Sequence, residues 1–351
     1  MWEFLLKILI RKRVSPYISI EHYSEERDLF VTSVSTKVED LYLNTTSLSV
    51  SDLENNIVEL RTQYIKDPSA FTFDDITKLK HVSQTLTLKK ELAYKFGHNS
   101  FRPGQLESIK ALLSGKDVVA IMPTGAGKSI IYQLPLVVTG GLGVVISPLI
   151  SLMQDQTVNA QEYGFRTVFL NSTLDSNERA NRIKDLKNNK YDLLYLSPEG
   201  LDAGLASLVK QLNFSYIAVD EAHCISQWGH DFRPEYLQLG QLAELFPNVP
   251  RIALTATADK RTREEIINRL HLQKAECFLS SFDRPNIFYR ITPKDNPRKQ
   301  LLDFLAQRKG DAGIIYCLSR KSVEATAEFL SSKGFPALPY HAGLDGNLRA
   351  F

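Results

Sequence analysis

From Phe96 onward, short runs that are apolar throughout apart from some first residues alternate with segments of helical periodicity. Asp117–Ile121, Gly143–Ile146, Thr167–Leu170, Leu193–Leu196, Tyr216–Val219 and Arg251–Leu254 read as strands, and the periodic segments between most of them as crossover helices. A strand without a polar face is covered on both sides, so the expected sheet is parallel with helices on either face. A weaker series begins near Phe282. It predicts strands over Ile287–Ile291, Gly313–Cys317 and Ala337–His341, with helices from about Pro297 to Lys309 and Arg320 to Lys333. Before Phe96 the pattern is helical. Ser51-Asp52-Leu53-Glu54 ahead of Ile57, Val58, Leu60, Tyr64 and Ile65 predicts a capped amphipathic helix stopped by Asp67-Pro68. A second helix is expected from about Asp74 to Lys90, and the Ser-, Thr- and Asn-rich stretch Val38–Val50 predicts a loop.

Composition narrows the class without naming a chemistry. The 351 residues are 43% hydrophobic and 23% charged, with 18 Gly and 15 Pro, a balance that excludes a disordered, collagenous or coiled-coil chain. At about 150 residues per domain, the length suggests about two domains. The expected division is an N-terminal accessory region over 1–88, mainly helical, a main α/β domain over 89–280, and a further piece over 281–351. The 42 Lys+Arg against 40 Asp+Glu leave +2, so a densely negative partner would have to be held by a local patch. Cys224, Cys277 and Cys317 stand apart, which excludes a disulfide framework and a paired-cysteine zinc module and points to a reducing, cytoplasmic compartment. Trp2–Ile10 is mostly apolar and is followed by Arg11, Lys12 and Arg13. It is shorter than the about 20 residues a membrane span needs, and a secretory signal would carry its basic residues before the run. It reads as a buried amphipathic helix, with contact at a membrane surface as the other reading.

Two motifs carry chemistry. Met122-Pro123-Thr124-Gly125-Ala126-Gly127-Lys128-Ser129 falls between an expected strand and an expected helix. In that context glycines let backbone N–H groups curl around phosphates, Lys128 reaches the β and γ oxygens, and the Ser129 hydroxyl ligates Mg²⁺. Met122 stands where the strict phosphate-loop pattern has its first glycine, and a plain turn with a helix cap is the alternative reading. Asp220-Glu221-Ala222-His223-Cys224 follows the strand Tyr216–Val219. A carboxylate at the carboxyl end of a parallel strand is placed to hold Mg²⁺, which suits Asp220, and the adjacent Glu221 can polarise an attacking water. A solvated acidic turn is the alternative. The two motifs together, in this order, are what nucleoside triphosphate hydrolysis requires.

They sit in a longer series: Phe96–Gln105, Tyr132-Gln133-Leu134-Pro135, Ile146–Gln156, Asp220–Cys224, Ile225–Tyr236, Ala253–Ala258, Ser281–Asn286, Gly313–Cys317 and Tyr340–Leu344. In these stretches, over roughly residues 90–351, the chain resembles the RecQ helicases of superfamily 2. Trp228–Tyr236 is the most diagnostic, since many helicases share a DEAH-like box and few follow it with this aromatic-rich loop. The resemblance implies a RecA-like P-loop NTPase domain with a parallel sheet over 89–280 and a partial second RecA-like domain over 281–351. It implies ATP and Mg²⁺ as cofactors and Glu221, Lys128, Asp220 and His223 as the catalytic set. The implied nucleotide contacts are His98, Arg102, Gln105, Thr124, Gly125, Ala126, Gly127, Lys128 and Ser129, with Ser129 and Asp220 on the metal. In that reading the Gln105 amide pairs with adenine while His98 and Arg102 stack on the base. His98 stands where the family often has another aromatic residue. Without the resemblance, Phe96, Phe101 and Pro103 could simply begin a helix packed on the core.

Trp228, His230, Phe232 and Arg233 would contact single-stranded DNA, base stacking being worth ~1–3 kcal/mol per base, and report it to Glu221. An aromatic loop by itself is also ordinary core. Thr255 and Thr257 resemble the segment that links hydrolysis to DNA, the alternative being two satisfied hydroxyls at a strand end. The segments that would carry the arginine finger, worth about 10³–10⁵ in rate, the later DNA contacts and the family's four-cysteine zinc module do not occur in these residues. Arg284, Arg320 and Arg349 match no finger position. The expectation is a fragment of a longer helicase that binds ATP and does not unwind duplex alone. The implied function is that of an ATP-dependent 3′–5′ DNA helicase module of recombination and repair, acting on single-stranded and tailed duplex DNA, cytoplasmic and nucleoid-associated in a bacterium, with no zinc site and no membrane partner. The rival is a non-catalytic ATP- or DNA-binding remnant, or an interaction protein whose N-terminal region holds a protein partner. A different P-loop enzyme is a third reading, opposed by the adenine-reading Gln105 region. The sequence is silent on oligomeric state.

Overall fold

Three helices lead into the sheet, and polar side chains fix where each begins. The computed structural model describes residues 25–148, 150–171, 174–200, 211–227, 231–281, 287–308 and 310–344, so the Trp2–Ile10 run lies outside the described residues. Helix α1 spans Glu25–Leu43, α2 Val50–Lys66 and α3 Phe73–Phe96. The Ser49 hydroxyl accepts the Asp52 N–H at 3.1 Å to cap α2, and Asp67 closes it. Thr72 and Asp75 cap α3 reciprocally, and the buried Asp75 carboxylate also accepts the Ser35 hydroxyl of α1 at 2.8 Å. The expected loop over Val38–Val50 is corrected: α1 runs on to Leu43 because Val38 and Leu41, one turn apart, are buried with Leu53 and Leu60 of α2 and Leu79 and Val82 of α3. Polar Ser and Thr content masked that stripe.

The buried Lys89 ammonium of α3 donates to the carbonyls of Thr46 (2.8 Å) and Leu48 (2.5 Å), satisfying the turn between α1 and α2, and burial lowers its pKa. Helix α3 crosses residue 88, the position expected for a boundary, without a break. Its first half serves the small helical core; its last turns, through Leu88, Leu92 and Phe96, pack into the core beneath the sheet. Gly97 ends it at φ +69°, in the left-handed conformation that glycine adopts without steric cost.

The sheet strands are Val118–Ile121 (β1), Gly143–Ile146 (β2), Thr167–Leu170 (β3), Leu193–Leu196 (β4), Tyr216–Val219 (β5), Arg251–Thr255 (β6) and Glu276–Leu279 (β7). They lie in the order β3-β4-β2-β5-β6-β1-β7, every pair parallel. Helix Gln105–Leu113 (α4) leads into β1, and the helices Lys128–Thr139 (α5), Ile150–Glu162 (α6), Ser176–Lys187 (α7) and Lys260–Arg269 (α8) lie between successive strands. Alternate strand residues enter separate cores. Val119, Ile121, Val144, Ile146 and Val219 share one, and Val118, Ala120, Val145, Ala218 and Leu254 the other. Strand β7 was not expected from the sequence. It alternates half-buried Glu276 and Phe278 with exposed Cys277 and Leu279, the short pattern of an edge strand. Among the described residues, no helix is long and apolar enough to cross a membrane.

Residues 284–351 form a separate compact unit from residues 1–283. Helices Pro297–Ala306 (α9) and Arg320–Ser332 (α10) occur in it where periodicity predicts them. The three strands expected there are corrected: Ile287–Ile291, Gly313–Cys317 and Ala337–His341 form neither strand nor helix and pair with no described strand. Phe288, Tyr316 and Leu338 are each at least 88% exposed. A strand exists only by virtue of a laddering neighbour, and the described residues of this unit supply none.

Candidate nucleotide-binding site

The carboxyl ends of β1 and β5 bring the two motifs to one edge of the sheet. After β1 the chain turns through Pro123–Ala126, the Ala126 N–H donating to the Pro123 carbonyl at 3.0 Å, and enters α5 at Lys128. Gly125 and Gly127 hold φ of +79° and +75°, and a Cβ on Gly127 would lie 2.7 Å from Gln105 Nε2, so both the turn and the close approach call for glycine there. Met122, in place of the expected first glycine, is fully buried. Its side chain packs over Gly104, where an added Cβ would meet Met122 Cε at 2.8 Å. Room for the methionine therefore comes from a glycine eighteen positions earlier, which the motif pattern does not reveal. Lys128 Nζ donates to the Met122 carbonyl at 3.4 Å, and Ser129 sits in the first turn of α5.

Asp220 follows β5 and is 5% exposed. Its Oδ2 accepts from Gln156 Nε2 at 2.8 Å and its Oδ1 from the Glu221 N–H at 2.9 Å, while the Tyr236 hydroxyl donates to its carbonyl at 2.9 Å. Burial pushes the Asp220 carboxyl up, with the negative Glu221 adding to it, against Gln156 and Lys128. Glu221 occupies the left-handed region at φ +46°, which a non-glycine residue adopts only when its surroundings hold it. The His223 ring is chiefly responsible for holding its carboxyl below the ordinary range, Lys128 assisting against burial; Nδ1 of that ring lies 3.3 Å from Glu221 Oε2 and 2.9 Å from Thr255 Oγ1. Thr255 is thus the hydroxyl that orients His223.

The donor set fits a hard divalent ion. Two adjacent carboxylates face one ammonium, Ser129 opens the helix beside them, and Gln156 Oε1 is a buried acceptor without a protein partner, suited to an ion's water. Gln156 had no role assigned from the sequence. The signal available was its place on the amphipathic helix after β2, which is visible only once the fold brings α6 over β5.

A cavity of about 620 Å³ adjoins the loop, lined by His98, Asn99, Arg102, Gln105, Gly125, Gly127, Ser129, Gln133, Gln156, Asn159, Glu162 and Tyr163, among others. The nucleotide residues expected at positions 98, 102, 105, 125, 127 and 129 therefore converge. Thr124, Ala126 and Lys128 belong to the same loop. The Gln105 amide lines this cavity and is already bonded to the loop beside it. It is 2% exposed, its Oε1 accepts the Arg102 N–H at 2.8 Å, and its Nε2 donates to the Ala126 and Gly127 carbonyls at 2.9 and 3.0 Å. Arg102 in turn donates to the Gly125 carbonyl. Both side chains brace the phosphate loop.

Of the expected DNA contacts, Trp228 and His230 lie outside the described residues. Phe232 is half-buried. Arg233 is tied down: its N–H donates to the Cys224 carbonyl at 2.9 Å and its guanidinium to the Pro148 carbonyl at 2.8 Å, joining this loop to the chain after β2.

The parallel sheet with this loop and acidic pair is the ATP-binding fold of a DEAD/DEAH box helicase, and residues 102–266 match the model of that family. The ATP-dependent DNA helicase RecQ of Pasteurella multocida (strain Pm70) is 49% identical over 255 residues, covering 72% of this chain and 40% of that protein. Its Haemophilus influenzae counterpart is 45% identical over 276 residues, 78% of this chain and 45% of that one. The chain belongs to the RecQ family of superfamily 2 helicases. It spans less than half the length of these relatives. Among solved structures, the DUF1998 helicase MrfA bound to DNA superposes with a TM-score of 0.58 at 18% identity, covering 75% of this chain and 41% of that one. The Mycobacterium smegmatis helicase Lhr bound to ssDNA and AMP-PNP gives 0.52 at 20%, over 75% of this chain and 39% of that one. At these identities the likeness is one of fold.

Proposed function

We propose that this chain is the ATP-hydrolysing part of a 3′–5′ DNA helicase of recombination and repair, working in the cytoplasmic compartment, with residues 89–280 as its ATP-binding domain and 281–351 beginning a second. The observation that carries the reading is the convergence of Lys128, Ser129, Asp220 and Glu221 at the carboxyl ends of β1 and β5 beside a cavity of nucleotide size. The names of the RecQ relatives, all DNA helicases, support it.

In this reading the triphosphate lies along Thr124–Ser129 and the base lies toward His98 and Arg102. Mg²⁺, held by Asp220 and Ser129, would neutralise charge on the phosphate oxygens. Lys128 offsets the charge that develops on the transferred group, and Glu221, ionised and fixed by His223, takes the proton of the attacking water. Adenine is read by Gln105 once its amide leaves the Ala126 and Gly127 carbonyls, so base binding and loosening of the phosphate loop are one event. DNA lies against the loop of Trp228, His230, Phe232 and Arg233. Because Arg233 also touches the Pro148 carbonyl, a strand bound there pulls on the chain after β2.

Single-stranded DNA binding tests this. Phosphate contacts make affinity fall steeply with salt, so anisotropy of a labelled oligonucleotide should show a loss of at least about tenfold between about 50 and about 200 mM salt. Phe232→Ala should weaken binding at both concentrations by removing one stacking surface worth ~1–3 kcal/mol. No binding at the lower salt, or an affinity indifferent to salt, would remove DNA from the proposal.

A further inference from the structure

We propose that His223, Cys224 and Asp231 form a binding site for a borderline-soft divalent cation of the zinc type, separate from the oxygen ligands of the magnesium site. The Cys224 sulfur lies 3.9 Å from His223 Nε2 and 3.7 Å from Asp231 Oδ2, and the three ligand atoms are all within 4.8 Å of one another. Bond lengths of about 2.0 Å to nitrogen and oxygen and about 2.3 Å to sulfur put tetrahedral ligand atoms roughly 3.3–3.5 Å apart, so closure on an ion needs shifts of roughly an ångström. The set is one nitrogen, one sulfur and one carboxylate oxygen, with room for a water as fourth ligand.

The surroundings match what such a site requires. A metal-bound imidazole is oriented by a partner on its other nitrogen, and His223 Nδ1 already lies 2.9 Å from Thr255 Oγ1 and 3.3 Å from Glu221 Oε2. Cys224 is fully buried, and its thiol donates toward Asp231. Burial, then Asp231, pushes that thiol up to about 12, so without an ion it is neutral. Binding replaces the S–H proton by the cation and releases the proton to solvent, leaving thiolate and carboxylate to balance the two positive charges. Asp231 is half-buried and on the loop side, which leaves a way in, and Arg233 is 3.7 Å from its carboxylate. Sulfur disfavours Mg²⁺, so the Cys224 site selects against it, while saturating Mg²⁺ keeps the oxygen ligands of Asp220 and Ser129 occupied. Cysteine counting cannot find this arrangement, because only one of its ligands is a cysteine and the third is seven residues away.

An ion here would join the acidic turn to the loop expected to sense DNA and place a second positive centre beside Glu221, weakening it as a base. That inhibitory consequence rests on the proposed hydrolysis; the site itself does not. The test is titration of the full chain with Co²⁺ in the presence of saturating Mg²⁺, reading the near-ultraviolet thiolate-to-cobalt absorption. Wild type should take up one Co²⁺ with that band, and Zn²⁺ should displace it. Cys224→Ser should lose the band, while Cys277→Ser and Cys317→Ser should keep it. Asp231→Asn, which spares the core, should keep the band and bind Co²⁺ at least about tenfold more weakly, and it decides the matter if Cys224→Ser does not fold. No band in wild type, a band that survives Cys224→Ser or is lost with Cys277→Ser or Cys317→Ser, or an unchanged affinity in Asp231→Asn would overturn the site.

Discussion

Replacing Lys128 by Ala is expected to weaken binding of ATP with Mg²⁺ by at least about 100-fold, the scale of removing one partner of a desolvated charge pair. Lys128 lowers the pKa of both acidic groups of the site, so its loss leaves Asp220 and Glu221 facing the triphosphate without that compensation. The fold should survive the change. Lys128 is half-buried at the start of α5, and its hydrogen bond to the Met122 carbonyl, at 3.4 Å, is long. Calorimetry of wild type and variant, beside their thermal midpoints, checks this. Equal affinities in two equally stable proteins would mean the loop does not hold phosphate.

Glu221→Gln should separate binding from chemistry. The amide keeps the shape of the side chain but cannot take a proton, so turnover should fall about 10²–10⁴-fold while ATP affinity stays within a few-fold of wild type. The direction of the pKa shift sharpens the expectation. His223 and Lys128 hold the Glu221 carboxyl below its ordinary range, so it is ionised throughout neutral pH and loses its charge only as pH falls through that lowered value. The wild-type rate should accordingly show no loss from this group between about pH 6 and 8, and the residual rate of Glu221→Gln should be flat there too. A variant that turns over normally would move the base elsewhere.

The six apolar runs that became β1 to β6 were legible because each lacks a polar face, and the phosphate loop and acidic pair because short spacing fixes their geometry. Less legible was anything decided by a neighbour distant in sequence. Strand β7 ladders with β1, each of its residues facing one 158 positions earlier, so its own four residues carry little signal. Ile287–Ile291, Gly313–Cys317 and Ala337–His341 have the composition of strands but no described partner, and they form no strand. Val38 and Leu41 are buried by α2 and α3, against the local reading as a polar loop. At the site, the Gln105 amide bonds to the phosphate-loop backbone, a contact that depends on the turn bringing the Ala126 and Gly127 carbonyls within 3.0 Å. Gln156 and Thr255 hold Asp220 and His223 from different elements, contacts that no linear spacing encodes.

The activity proposed for the carboxyl edge of β1 and β5 is hydrolysis of ATP in response to DNA. Its most direct test is the steady-state rate of phosphate release from Mg·ATP by this 351-residue chain, with and without single-stranded DNA, using Glu221→Gln as the blank. Turnover above the blank is expected, with a further rise when single-stranded DNA is added. A rate equal to the blank under both conditions would contradict it and leave a protein that binds nucleotide without cleaving it.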